Sequence, residues 1–86
     1  MGAKEDKELP DWFTGDVYEK GEEVINPFSG KWYKLTAIEL SVYDLLLGVN
    51  YYGDHRGWTD ELVDLKNKAE AWFIETNPEA YDILIK

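Results

Sequence analysis

The chain has 86 residues, 18 Asp and Glu against nine Lys and Arg, a formal net charge of −9 and no cysteine. Without cysteine there is no disulfide framework, no Cys-ligated zinc, no iron–sulfur cluster and no thiol catalysis. The acidic balance and the scattering of the basic residues argue against direct binding of nucleic acid or of an anionic membrane, because phosphates would be repelled.

A chain of this length makes one domain, and so small a domain buries only about 60–65% of its unfolded surface. Four Trp, six Tyr and three Phe offset that thin core, since each aromatic buries roughly 150–250 Å². No apolar run approaches the ~20 residues of a membrane span; the longest strongly apolar stretch is Leu45-Leu46-Leu47. The start, MGAKEDKELP, lacks the apolar core of a signal peptide, and Asp6 stands where a myristoylation signal wants Ser or Thr. The expectation is a cytoplasmic protein.

Residues 1–10, polar and closed by Pro10, read as a flexible arm ahead of a single α+β domain at residues 11–86. Asp11 to Gly21 is an irregular lead-in with a short extended piece at Asp16–Glu19. Glu23-Val24-Ile25 and Lys31-Trp32-Tyr33-Lys34-Leu35 are β-prone, and Asn26-Pro27-Phe28-Ser29-Gly30 between them is rich in turn formers. Pro27 presets φ for the turn, and Gly30 can take positive φ to enter the second strand.

Thr36-Ala37-Ile38-Glu39 is a capping box, which starts a helix from Ala37 to about Tyr51. Ile38, Val42, Leu45, Val49 and Tyr52 follow one helical stripe, and Leu40, Tyr43 and Leu47 a second, so most of this helix must be covered. Gly53-Asp54-His55-Arg56-Gly57 breaks it. Trp58 or Thr59 then leads into an amphipathic helix whose apolar face holds Leu62, Leu65, Ala69, Trp72 and Phe73 and which ends at Thr76-Asn77. Asn77-Pro78-Glu79 opens a last helix with an Asn cap and Pro at its first position, running to about Leu84. The whole is an α+β domain with an N-terminal β-hairpin packed on a three-helix C-terminal part.

Each candidate site has two readings. His55 between Asp54 and Arg56 could be a general base with an anion clamp, but no Ser or Cys nucleophile adjoins it, and a polar helix connection is the plainer reading. The acids at Asp54, Asp60, Glu61 and Asp64 do not match the frame of a calcium loop, so no metal is expected. The glycines do not have phosphate-loop spacing, and no cofactor is expected. Trp12, Phe13, Phe28 and Trp58 lie in loops: they either cap a thin core or form a protein-binding hot spot. Together with Leu46 and Leu47 of the apolar helix they are the candidate interaction residues.

Three stretches taken together resemble small uncharacterised proteins encoded by tailed phages of marine cyanobacteria. They are Thr14-Gly15-Asp16-Val17-Tyr18 through Asn26-Pro27-Phe28-Ser29-Gly30, then Leu35-Thr36-Ala37-Ile38-Glu39-Leu40-Ser41-Val42-Tyr43-Asp44, and Trp72-Phe73 through Asn77-Pro78-Glu79-Ala80-Tyr81. The resemblance implies a small protein made in an infected bacterial cytoplasm and carries over no catalytic residue.

The leading functional expectation is a non-enzymatic interaction module that binds a protein partner, a host protein among the candidates, and itself as a homo-oligomer. Two alternatives stand beside it: an acidic nucleic-acid mimic occupying a basic groove on a host protein, and a small enzyme using Asp54, His55 and Arg56. The charge is placed unevenly, −5 over residues 1–24, zero over 25–58 and −4 over 59–86. The acidic ends thus frame a neutral, aromatic-rich middle.

Overall fold

A computed structural model describes residues 9–86. Two strands, β1 (Glu22–Ile25) and β2 (Trp32–Leu35), precede helix α1 (Ala37–Arg56), helix α2 (Asp60–Thr76) and a C-terminal helical segment. That segment begins as a short turn α3 (Pro78–Ala80) and widens into a π-helical stretch at Tyr81–Ile85. The α+β architecture with a leading hairpin and three helices is the one the sequence predicts. The expected flexible arm lies, for residues 1–8, outside the described residues. Leu9 packs on the core, and the Pro10 carbonyl accepts from the Phe13 N–H at 2.9 Å, so these two residues belong to the packed domain.

The hairpin is antiparallel, with Val24 opposite Tyr33 and Ile25 opposite Trp32. Asn26 organises its tip. Its Oδ1 accepts from the Phe28 N–H at 2.8 Å, and its Nδ2 donates to the Ile83 carbonyl at 3.0 Å. One side chain therefore closes the turn and ties it to the C-terminal segment. Gly30 has φ of 79°, the positive value expected of it on entry to the second strand. The lead-in forms no strand at Asp16–Glu19. It is held instead by the Tyr18 N–H, which donates to Ser41 Oγ at 2.9 Å, while that hydroxyl donates to the Ala37 carbonyl one turn back in α1.

The capping box of α1 forms as predicted. Thr36 Oγ1 accepts from the Glu39 N–H at 3.2 Å, and Glu39 Oε1 accepts from the Thr36 N–H at 3.0 Å. The break expected after Tyr51 does not occur: α1 runs on through Gly53 to Arg56. Gly53 is a packing residue, because a Cβ there would fall inside the Trp58 indole ring, and its missing side chain lets that ring lie on the helix. The true stop is Gly57, whose φ of 103° leaves the helical region and whose N–H returns to the Gly53 carbonyl at 3.0 Å. Thr59 caps α2, its hydroxyl accepting from the Leu62 N–H at 3.2 Å.

The core gathers where β2, the first half of α1, α2 and the C-terminal segment meet. Leu35, Val42, Leu46 and Phe73 are at most 2% exposed. Phe73 takes Tyr43 edge-on at 6.5 Å between ring centroids and Trp72 at 5.0 Å, both near a right angle. A buried polar junction sits among these apolar groups. Glu39, 1% exposed, accepts from Asn77 Nδ2 at 3.0 Å, and Asn77 Oδ1 caps α3 by accepting from the Ala80 N–H at 3.2 Å. Tyr33 adds its hydroxyl to Asn77 Oδ1 at 3.4 Å and to Glu79 at 3.3 Å. This junction joins β2, α1 and the start of α3. The hairpin thus rests on the C-terminal segment as well as on α1.

Candidate functional site

The alternation of a strand decides which hairpin residues face out. Val24, Tyr33 and Leu35 turn inward, and Glu23, Ile25, Trp32 and Lys34 are exposed. The outer face therefore carries an apolar cross-strand pair, Ile25 with Trp32, beside a charged pair, Glu23 with Lys34. Ile25 and Trp32 are 56% and 57% exposed, and Phe28 at the tip is 96% exposed. A shallow depression of about 290 Å³ runs along this face between Glu23, Val24, Ile25 and Trp32.

A second concavity, of about 370 Å³, opens between α1, α2 and the lead-in. Leu45, Val49 and Tyr52 of α1 face Leu62 and Leu65 of α2 across it. Asp16 and Asp44 line it with Gly15 and Gly48, and both carboxylates belong to exposed residues. The Asp44 charge, followed by partial burial and a hydrogen bond to Asp44, pushes the Tyr18 phenol above its usual value near 10. Asp16 and Glu22 act in the same direction.

The structure separates the candidate residues. Trp12 and Phe13 pack, half-buried, against the core, as the capping alternative has it. Leu46 is 2% exposed and belongs to the core, so it is not available as a surface contact; it and Leu47, 48% exposed, point to different sides of α1. Trp58 is 40% exposed; it lies on Gly53 and donates from Nε1 to Asp54 at 3.3 Å. Only Phe28 stands clear of the fold. Ile25 and Trp32 join it as residues that reading the loops alone passes over; period-two alternation from the inward Tyr33 and Leu35 marks Trp32 as outward. The concavity at Asp16 and Asp44 had no such signal, since its walls come from three segments distant in sequence.

An active site at Asp54-His55-Arg56 would need a concavity beside His55. These residues instead form the exposed last turn of α1, and neither concavity has His55 on its lining. The His55 ring stacks on Tyr51 at 4.1 Å, its Nδ1 lies 2.9 Å from the Tyr51 carbonyl, and Arg56 covers the Tyr52 ring at 5.7 Å. Among the described residues no group of three or more His, Cys, Asp or Glu is placed to hold a metal ion. No described helix is long and apolar enough to cross a membrane.

Fold and surface together define a small α+β domain that presents one sheet face and one interhelical cleft. Comparison with family models, with curated proteins and with solved structures finds no match.

Proposed function

We propose that the protein is a non-enzymatic interaction module whose contact surface is the outer face and tip of the hairpin. The observation that carries this reading is the exposure of Ile25, Trp32 and Phe28 together on one two-stranded unit. Fully burying an exposed large apolar side chain gains roughly 1.5–3 kcal/mol; most of that is still open at Phe28 and about half at Ile25 and Trp32, which favours a partner that covers them. Trp is also the residue most enriched at the energetic centres of interfaces. The charged pair Glu23 and Lys34 at the margin contributes no net charge, so this surface does not share the repulsion that the acidic ends of the chain impose on a second copy. Self-association through the hairpin is therefore part of the proposal. From the resemblance to cyanophage proteins we further propose that the protein acts in an infected bacterial cytoplasm, with a host protein as a second partner.

The acidic-mimic alternative has less support. In α2, Lys66 pairs with Glu70 and Lys68 with Asp64, each at 2.9 Å, which breaks up a continuous row of phosphate-like charge.

Sedimentation velocity from micromolar to millimolar chain concentration tests the self-association. A concentration-dependent dimer that Trp32→Ala or Phe28→Ala returns to monomer is the expected outcome, and a strict monomer removes this part of the proposal. Affinity capture from host lysate tests the partner, which should be retained by the native chain and lost with Trp32→Ala. Equal recovery by both chains would sink the assignment to the hairpin.

A further inference from the structure

The cleft between α1 and α2 combines features that the hairpin surface lacks. Its walls are aliphatic, from Leu45, Val49, Leu62 and Leu65, and its volume of about 370 Å³ falls within the ~300–1,000 Å³ range of small-molecule sites. Two carboxylates, Asp16 from the lead-in and Asp44 from α1, line the same space. Among the described residues neither forms an ion pair with Lys or Arg. Each carboxylate has acceptor positions for more than one donor.

Gly48 is an independent indication. It sits in the interior of α1, where glycine costs roughly 0.5–1 kcal/mol relative to alanine. Two other glycines have a local packing reason: a Cβ on Gly53 would enter the Trp58 ring, and one on Gly21 would meet the Leu35 carbonyl. Among the described residues a Cβ on Gly48 would meet nothing within 4 Å, and Gly48 lies on the cleft lining. The packing of the described residues does not call for glycine here. What the absent side chain does is keep the cleft open, one helical turn from Asp44.

We infer that this cleft binds a small organic cation with an apolar body, an alkyl or aryl ammonium whose hydrophobic part lies against Leu45, Val49, Leu62 and Leu65 and whose charge meets Asp16 and Asp44. An anionic amphiphile with the same apolar part is repelled by the two carboxylates, and a neutral one lacks the ionic contact. At the end of the cleft the Tyr52 ring already takes the Arg56 guanidinium over its face, which shows that the ring accommodates positive charge. The inference does not depend on the hairpin surface.

The test titrates the full chain, observed by amide NMR at neutral pH, with three probes of one apolar body: 2-phenylethylammonium, 2-phenylethanol and 3-phenylpropanoate. The expected order is cation, alcohol, anion, with the cation roughly five- to tenfold tighter than the alcohol, the scale of two part-exposed ion pairs. Shifts should centre on Leu45, Gly48 and Leu65. Asp16→Asn combined with Asp44→Asn should bring the cation to the level of the alcohol. Gly48→Leu should abolish binding of all three while leaving the melting temperature undiminished, because the side chain grows into open space. The inference is overturned if the cation binds no tighter than the alcohol, if its preference survives in the double Asn variant, or if the shifts lie outside the cleft. The two Asp positions are exposed, so that arm remains decisive even where Gly48→Leu does not fold.

Discussion

Both halves of α1 carry large apolar residues, and these meet different fates. From Glu39 to Tyr43 every residue is buried, including the polar Glu39 and Ser41. Beyond Val49 only Gly53 is buried, and Tyr51 and Tyr52 stand 59% and 52% exposed. The first half is wrapped by β2, the lead-in and the α2–α3 junction, whereas the second half has α2 on one side and little else. A hydrophobic residue in this helix is therefore core or surface according to what covers it, and its chemical type does not settle the matter.

Adjacent leucines offer the sharpest way to break that contrast. Leu46→Ala should destabilise by about 2–5 kcal/mol, as a cavity in the core does, whereas Leu47→Ala should stay within about 1 kcal/mol, as surface changes do. Equal losses in urea denaturation would mean that Leu47 is covered in solution. The polar junction in the buried half comes next. Glu39→Ala removes half of the capping box and leaves Asn77 without its acceptor, at a cost of about 2–3 kcal/mol. Asn77→Ala should approach it and should not add fully to it, because the two side chains share one bond.

The glycines of α1 divide in the same way. Gly53→Ala should destabilise by about 1–3 kcal/mol, since Trp58 must leave the helix surface, with a change in Trp fluorescence as the companion signal. Gly48→Ala should stabilise by about 0.5–1 kcal/mol, because the helix gains a better former and nothing obstructs it. A destabilised Gly48→Ala chain would show that the cleft is narrower than described.

The smallest effect is one of pH. Burial raises the Tyr43 phenol above its usual value near 10. The folded state then holds this proton more tightly than the unfolded chain, so the associated stability is full below about pH 10 and is lost as pH rises toward the folded value. Tyr43→Phe should flatten the decline in thermal stability above about pH 10. An unchanged slope would assign the decline to other groups, Tyr18 beside Asp44 among them.

Local chemistry was legible in the sequence where its partners were close along the chain. The Thr36–Glu39 box, the Asn77–Pro78 start, Gly30 at the hairpin exit and the apolar face of α2 each rest on contacts within four residues, so spacing alone identifies them. The same reasoning failed at Gly53, because whether a glycine ends a helix or is buried within it depends on Trp58 folding back across it. It failed again for Leu46, which two nearly equivalent stripes left without a side.

The acidic frame and the apolar middle, the hairpin and the helices with their caps were thus set by residue order. Tertiary structure alone decided which loop aromatics fold inward, as Trp12 and Phe13 do, and which stay in water, as Phe28 does. It alone brought Asp16 to Asp44 across an aliphatic cleft. The physical reason is common to both: burial and charge proximity are properties of surfaces that meet in space, and no periodicity within one segment encodes what another segment will cover.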